Sequence, residues 1–235
     1  MISCAFSTYF CGQNLENMRV VILLVIALTG IITAYLMTKP SDEKPLPVIN
    51  PIDLNSEMVD ADLARQGFGH TIGDFSFTDQ NGKAFGLKDV EGKVFVAEYF
   101  FSTCATICPK MTAQMERVHQ QFKHNNQVEI LSFTVDPGND SVARLAEYAK
   151  QHHADSKQWH FLTGEKEKLY EAARRSFFVL KPAAVENQGD VGSDFIHTNN
   201  FVLIDKQLRI RGYYDGTSEK DVDRLMTDMK RLLEE

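Results

Sequence analysis

The eight residues 94–101, VFVAEYFF, form a nearly continuous apolar run of strand length. A segment that is apolar at both odd and even positions has no face to show to water. It therefore predicts a central strand covered on both sides, as in an α/β sheet. Cys104 follows directly, and from residue 109 to 126 the pattern turns helical. Met111, Met115, Val118 and Phe122 recur there at spacings of four, three and four along one face, and Pro109 suits a first turn. The alternation repeats as strand 128–135, helix 141–152, strand 159–162 and helix 165–175. Strands at 201–205 and 208–214, joined through Lys206-Gln207, lead to a closing helix at 218–235. Ser218 with Asp221 predicts a capping box at its start, with Asp in the usual Glu or Gln position. Upstream, an alternating stretch closed by Asn81-Gly82 predicts a small hairpin.

Residues 20–37 carry no charge over eighteen positions. At about 1.5 Å per residue a helix of this length just covers a bilayer core. The expectation is an uncleaved membrane anchor at 18–38, since Thr33-Ala34-Tyr35 is a poor cleavage site and no cysteine follows the run. Arg19 on one side and Lys39 and Lys44 on the other leave the orientation undecided by charge. Met18-Arg19 resembles a natural beginning, so residues 1–17 read as a short tail whose Cys4 and Cys11 stand apart from the chemistry. Residues 39–59 hold four of the seven prolines and read as an extended linker, which leaves 60–235 as one folded domain. A composition of 43% hydrophobic and 24% charged residues suits one such domain. A net charge of −7, with no cluster of Lys and Arg, argues against a nucleic-acid partner.

Cys104-Ala-Thr-Ile-Cys108 spaces two thiols four residues apart, which in the first turn of a helix puts both on one face. A helix N-terminus favours the thiolate, and thiolates select soft ions such as Cu(I). A third ligand is missing, and imidazole is its usual form. Among seven histidines, His119 and His124 are expected on the polar side of their helix and His152 and His153 at the end of another, all as surface groups. His197 stands just before strand 201–205, where thioredoxin-like folds carry a proline facing the redox cysteines. Met111, Met115 and Trp159 are expected in the core. Asp136 and Asp140 follow a strand end, where the simpler role is to cap the helix beginning near 141 and the alternative is to tune the site or meet a partner. The spacing alone leaves open a structural disulfide and a dithiol oxidoreductase, although the latter normally has two residues between its cysteines. Structural zinc would want a fourth ligand. The cysteine pattern of a peroxiredoxin is absent.

From about Gly69 to the C-terminus the sequence resembles the Sco/SenC family of copper proteins. The resemblance rests on the strand leading into Cys104-x-x-x-Cys108-Pro109, on Thr134-Val135-Asp136-Pro137 with Asp140, on Phe161-Leu162-Thr163-Gly164, and on His197-Thr198 ahead of FVLID. It implies a thioredoxin-like domain on an N-terminal transmembrane anchor, with one copper ion, Cu(I) or also Cu(II), held by Cys104, Cys108 and His197. The implied role is a copper metallochaperone, not an enzyme, that serves the dinuclear copper centre of cytochrome c oxidase. Implied partners are the oxidase copper-centre subunit, other copper chaperones and thiol reductants. With no Arg-rich presequence, the expected place is the periplasmic side of a bacterial inner membrane. Ala105-Thr106 stands where many members have Pro-Asp, and Ile196 where an acidic residue often precedes the histidine. The rival reading is a membrane-tethered thiol:disulfide oxidoreductase using Cys104 and Cys108 as its redox pair. A third is a copper or redox sensor.

Overall fold

A computed structural model describes residues 5–38, 44–179 and 199–235. It divides into two units, Met1–Pro45 and Leu46–Glu235. The first holds helix α1, Ala5–Thr38, whose segment Met18–Tyr35 has mean hydropathy 2.2 and is long and apolar enough to cross a membrane. Its two central threonines return their hydroxyls to the helix backbone, Thr29 to Val25 at 2.9 Å and Thr33 to Thr29 at 2.7 Å. That is how polar side chains are accommodated in lipid.

In the second unit the elements run α2 Ala61–Gln66, β1 Ser76–Thr78, β2 Ala84–Gly86, α3 Leu87–Val90, β3 Val94–Phe100, α4 Cys108–Phe122, β4 Val128–Thr134, α5 Val142–Gln151, β5 Trp159–Leu162, α6 Lys166–Glu171, β6 Asn200–Ile204, β7 Ile210–Asp215 and α7 Glu219–Glu234. β1 and β2 form the expected hairpin, turned at Gly82 with φ 75° and tied by Asp79 Oδ1, which accepts the N–H groups of Asn81 and Lys83. The main sheet has the order β5-β4-β3-β6-β7, with β3, β4 and β5 parallel and β6 and β7 antiparallel to their neighbours. All seven residues of β3 and all seven of β4 are buried, as the apolar run requires. One face packs on Met111 and Met115 of α4, Leu145 of α5 and Leu225 of α7. The other packs on the hairpin and on Leu169 of α6.

Three local outcomes differ from what the sequence predicts. The predicted helix 165–175 is α-helical only through Glu171 and then widens into a π turn, Ala172–Ser176, closed by Phe177 N–H donating to Ala172 O at 3.1 Å. The capping box of α7 is half made: Ser218 Oγ accepts Asp221 N–H at 3.4 Å, but the Asp221 carboxylate accepts from Asp215 N–H instead. Residues 46–59, expected as linker, pack on the body. Ile49 N–H donates to Ile210 O at 2.8 Å, and Leu46 and Pro47 give their carbonyls to the buried Arg211 guanidinium. Proline there stiffens a docked segment, where an extended linker was expected.

The register separates two ends of the sheet. Ile210 pairs with Ile204 and Ile204 with Phe95, so the Arg211 region lies beside the start of β3. The cysteine turn lies beyond the other end of that strand, about 20 Å away for seven residues at ~3.3 Å each.

Candidate metal centre

β3 delivers the chain to Phe100, a turn follows, and α4 begins at Cys108, with Pro109 in its first turn. Cys104 therefore sits in the turn ahead of the helix, not in its first turn as the spacing suggested. Proline fits inside the helix start because its missing N–H falls where no intrahelical partner exists. Cys104 N–H donates back to Phe101 O at 3.1 Å, which bends the turn toward α4. Each thiol still influences the ionisation of the other, and neither is in a disulfide.

Their environments differ. Cys104 is partly exposed and Cys108 is buried at 4% exposure. Burial works against ionising Cys104, but hydrogen bonds from the Cys108 side chain and backbone and from Thr106, whose Oγ1 lies 3.5 Å from Sγ, outweigh it and bring the thiol down to about 7. Burial pushes Cys108 up to about 12, helped by the neighbouring Cys104 and by the charge of Glu98. One thiol is thus ready to be a thiolate near neutral pH. The other keeps its proton until something replaces it.

The turn is anchored from behind. Asp140 is fully buried and accepts Ser102 N–H at 3.1 Å, the Ser102 hydroxyl at short range, and Thr134 Oγ1 at 2.5 Å. Arg144 Nε donates to Ser102 Oγ at 2.7 Å. Asp140 does not cap α5: Ser141 does, accepting Arg144 N–H. The capping expectation fails because Asp140 turns inward to the strand ends.

His197 lies outside the described residues. The strand it precedes does not: β6 runs antiparallel to β3, so its first residue, Asn200, stands at the end of the sheet where the cysteine turn is. Among the described residues no group of three His, Cys, Asp or Glu side chains is placed to hold a metal. The other histidines go elsewhere. His119, expected on the surface, is buried at 1% exposure against Trp159. His160 pairs with Glu129 at 3.2 Å, His152 with Glu116 at 2.8 Å, and His70 Nε2 lies 2.8 Å from Ser176 O. Met111, Met115 and Trp159 are core residues as expected.

Two features go beyond the sequence expectations. Asp140 anchors a turn 38 residues away in the chain, which no local pattern announces. Glu98 sits fully buried in β3, where its Oε1 accepts Ser132 Oγ at 2.6 Å and Ser132 in turn accepts Trp159 Nε1–H at 2.9 Å. A lone charge inside an apolar run was the available signal.

What two soft thiol donors of unequal acidity can do is bind a soft ion or exchange with a disulfide. Known proteins similar to this chain are described in both terms. The family model described as SCO1/SenC matches residues 64–234. A SCO1 protein homolog of Bacillus subtilis is 34% identical over 160 residues, covering 66% of this chain and 79% of its own length. The structure of BsSco, described as a member of the Sco family of cytochrome c oxidase assembly proteins and as holding a disulfide switch, superposes with TM-score 0.59 at 31% identity, over 70% of this chain and 94% of that one. ScoI of Bradyrhizobium japonicum, solved with copper bound, gives TM-score 0.56 at 24% identity over 70% of this chain and 99% of that one, a likeness of fold.

Proposed function

The chain belongs to the SCO1/SenC family, and from that premise we propose that it carries copper to the dinuclear copper centre of cytochrome c oxidase during assembly. The copper ion is cargo, and Cys104, Cys108 and His197 are its ligands. The observation that carries this reading is the thiol pair: a partly exposed Cys104 with its acidity brought to about 7, beside a buried Cys108. Copper-bound relatives and a relative described as an oxidase assembly protein support it.

The chemistry follows from the two environments. Cys104 approaches the ion as a thiolate, and the metal then displaces the proton that burial holds on Cys108, so loading releases protons. Burial of Cys108 shields the ion from competing ligands. Exposure of Cys104 gives an acceptor's thiol or imidazole a side from which to begin ligand exchange. Three ligands leave a position open for that exchange, and no substrate bond is made or broken, so the protein acts as a carrier and not an enzyme. Helix α1 tethers the carrier, with the body on the extracytoplasmic side of a bacterial inner membrane.

An anaerobic Cu(I) titration of the reduced body, residues 46–235, against a competing chelator tests this. One tight equivalent is expected, weakened at least tenfold by Cys108→Ser and by His197→Ala. Binding indifferent to His197 would remove the three-ligand site.

A second reading has its own support. An acidic exposed thiol with a buried partner of high pKa is the arrangement of a dithiol exchanger, in which the first thiolate attacks and the second resolves the mixed disulfide. It predicts reduction of a disulfide in the oxidase subunit at a rate unaffected by His197→Ala.

A further inference from the structure

Past Phe100, which pairs with Thr134, the chain leaves the sheet, and Val135 N–H to Phe100 O at 2.9 Å is the last ladder bond. Ser102 therefore has no strand beside it. Asp140 takes the place of the missing ladder: its carboxylate accepts Ser102 N–H and hydroxyl on one side and Thr134 Oγ1 on the other. Asp136 N–H completes the chain by donating to Thr134 Oγ1 at 3.0 Å. Cys104, two residues on, is folded back on Phe101 O, so Ser102 and Cys104 belong to one turn pinned at two points.

We propose that Asp140 is the positioning residue of the cysteine turn: by holding Ser102 against the end of β4 it fixes Cys104 relative to the start of α4, so that both thiols meet a copper ion without rearrangement. This rests on the carrier reading. The side chain touches no ligand atom and acts through Ser102. Its bonds come from neutral donors, and Arg144 reaches the cluster only through Ser102 Oγ. The cluster thus binds the ends of β3 and β4 to the start of α5 at one carboxylate.

The size of the effect follows from backbone freedom. Releasing one residue from a single conformation costs about as much as a tenfold change in affinity when that residue must be re-ordered on binding. The prediction is that Asp140→Asn, which keeps the shape but replaces an acceptor by a donor, weakens Cu(I) binding about tenfold. Ser102→Ala, which removes the hydroxyl bond to Asp140 and the Arg144 contact but keeps the backbone N–H bond, weakens it in the same direction by a smaller factor. Thr134→Val cuts only the strand side, leaves Ser102 N–H on Asp140, and changes affinity less than about threefold.

The experiment measures Cu(I) affinity by chelator competition, the midpoint potential of the Cys104–Cys108 couple against glutathione, and the melting temperature, for the parent and all three variants of the full chain in detergent. Asp140→Asn shifts the potential by about 30 mV, the equivalent of tenfold for two electrons, and Ser102→Ala shifts it by less, while Thr134→Val does not. Affinities and potentials that simply track melting temperature overturn the proposal, as does an Asp140→Asn variant that matches the parent in both. Should Asp140→Asn fail to fold, Ser102→Ala decides alone. If the parent itself binds no copper, the carrier reading fails, and the potentials, which need no metal, still judge Asp140.

Discussion

Cys104 and Cys108 share a turn but do opposite things with a proton, and that difference is measurable. With Cys104 brought to about 7 and Cys108 pushed up to about 12, iodoacetamide labelling of the reduced protein, followed by mass spectrometry from pH 6 to 9, is expected to modify Cys104 with a midpoint near pH 7. Cys108 stays unlabelled throughout. Thr106→Val removes one hydrogen bond to the thiolate and slows labelling at pH 7 severalfold. Equal rates at the two cysteines would contradict the assignment. The pair itself was legible from spacing, since four residues at a strand-to-helix junction bring two side chains together whether the first is in the helix or just before it. His119 runs against its surface expectation although its signal was present: it stands four residues after Met115 and three before Phe122, on the buried stripe. The partners of Asp140 were beyond local reading, because they come from the ends of two other elements.

At the level of elements, the apolar run of β3 set the architecture, and the charge inside it makes that strand pH-sensitive. Burial raises Glu98 to about 7, with the Ser132 hydrogen bond pulling the other way. Its folded value lies above its unfolded one, so its contribution to stability is complete below pH ~4.5 and is lost as pH rises through 7. Urea unfolding at pH 5 and pH 8 is expected to show the parent losing stability relative to Glu98→Gln, by up to about 3 kcal/mol at the higher pH. A pH-independent difference between the two would sink this account. The strands and helices were readable because β-sheet burial and helical stripes leave periodic traces; β5, Trp159–Leu162, has the bounds the sequence predicts. What was not readable was how helix 165–175 ends. The π turn there presents Ser176 to His70, a contact set by a residue 106 positions distant.

For the molecule as a whole, Arg211 gathers parts that the sequence keeps far apart. Buried at 3% exposure, it donates to Leu46 O at 2.7 Å, Pro47 O at 3.1 Å, and the carboxylates of Asp205 and Glu235 at 2.9 Å each. Removing it takes away one of the two guanidinium groups on the buried Asp205 carboxylate and the side-chain donors to the Leu46 and Pro47 carbonyls. Arg211→Met is expected to destabilise the body by roughly 3 kcal/mol, because breaking a buried pair leaves its partner carboxylate less compensated and two carbonyls without this donor. Thermal melts of residues 46–235, parent against variant, measure this, and a loss below about 1 kcal/mol would contradict it. The same arrangement has a mechanical consequence. A pull arriving at Leu46 enters the body at the Arg211 cluster, beside the start of β3, and the shortest route for that load runs through β7 and residues 46–49. The cysteine turn lies at the far end of the sheet, off that route. Load applied at Leu46 is therefore carried past the two sulfurs, which keep their rest geometry while the near edge of the sheet bears the strain.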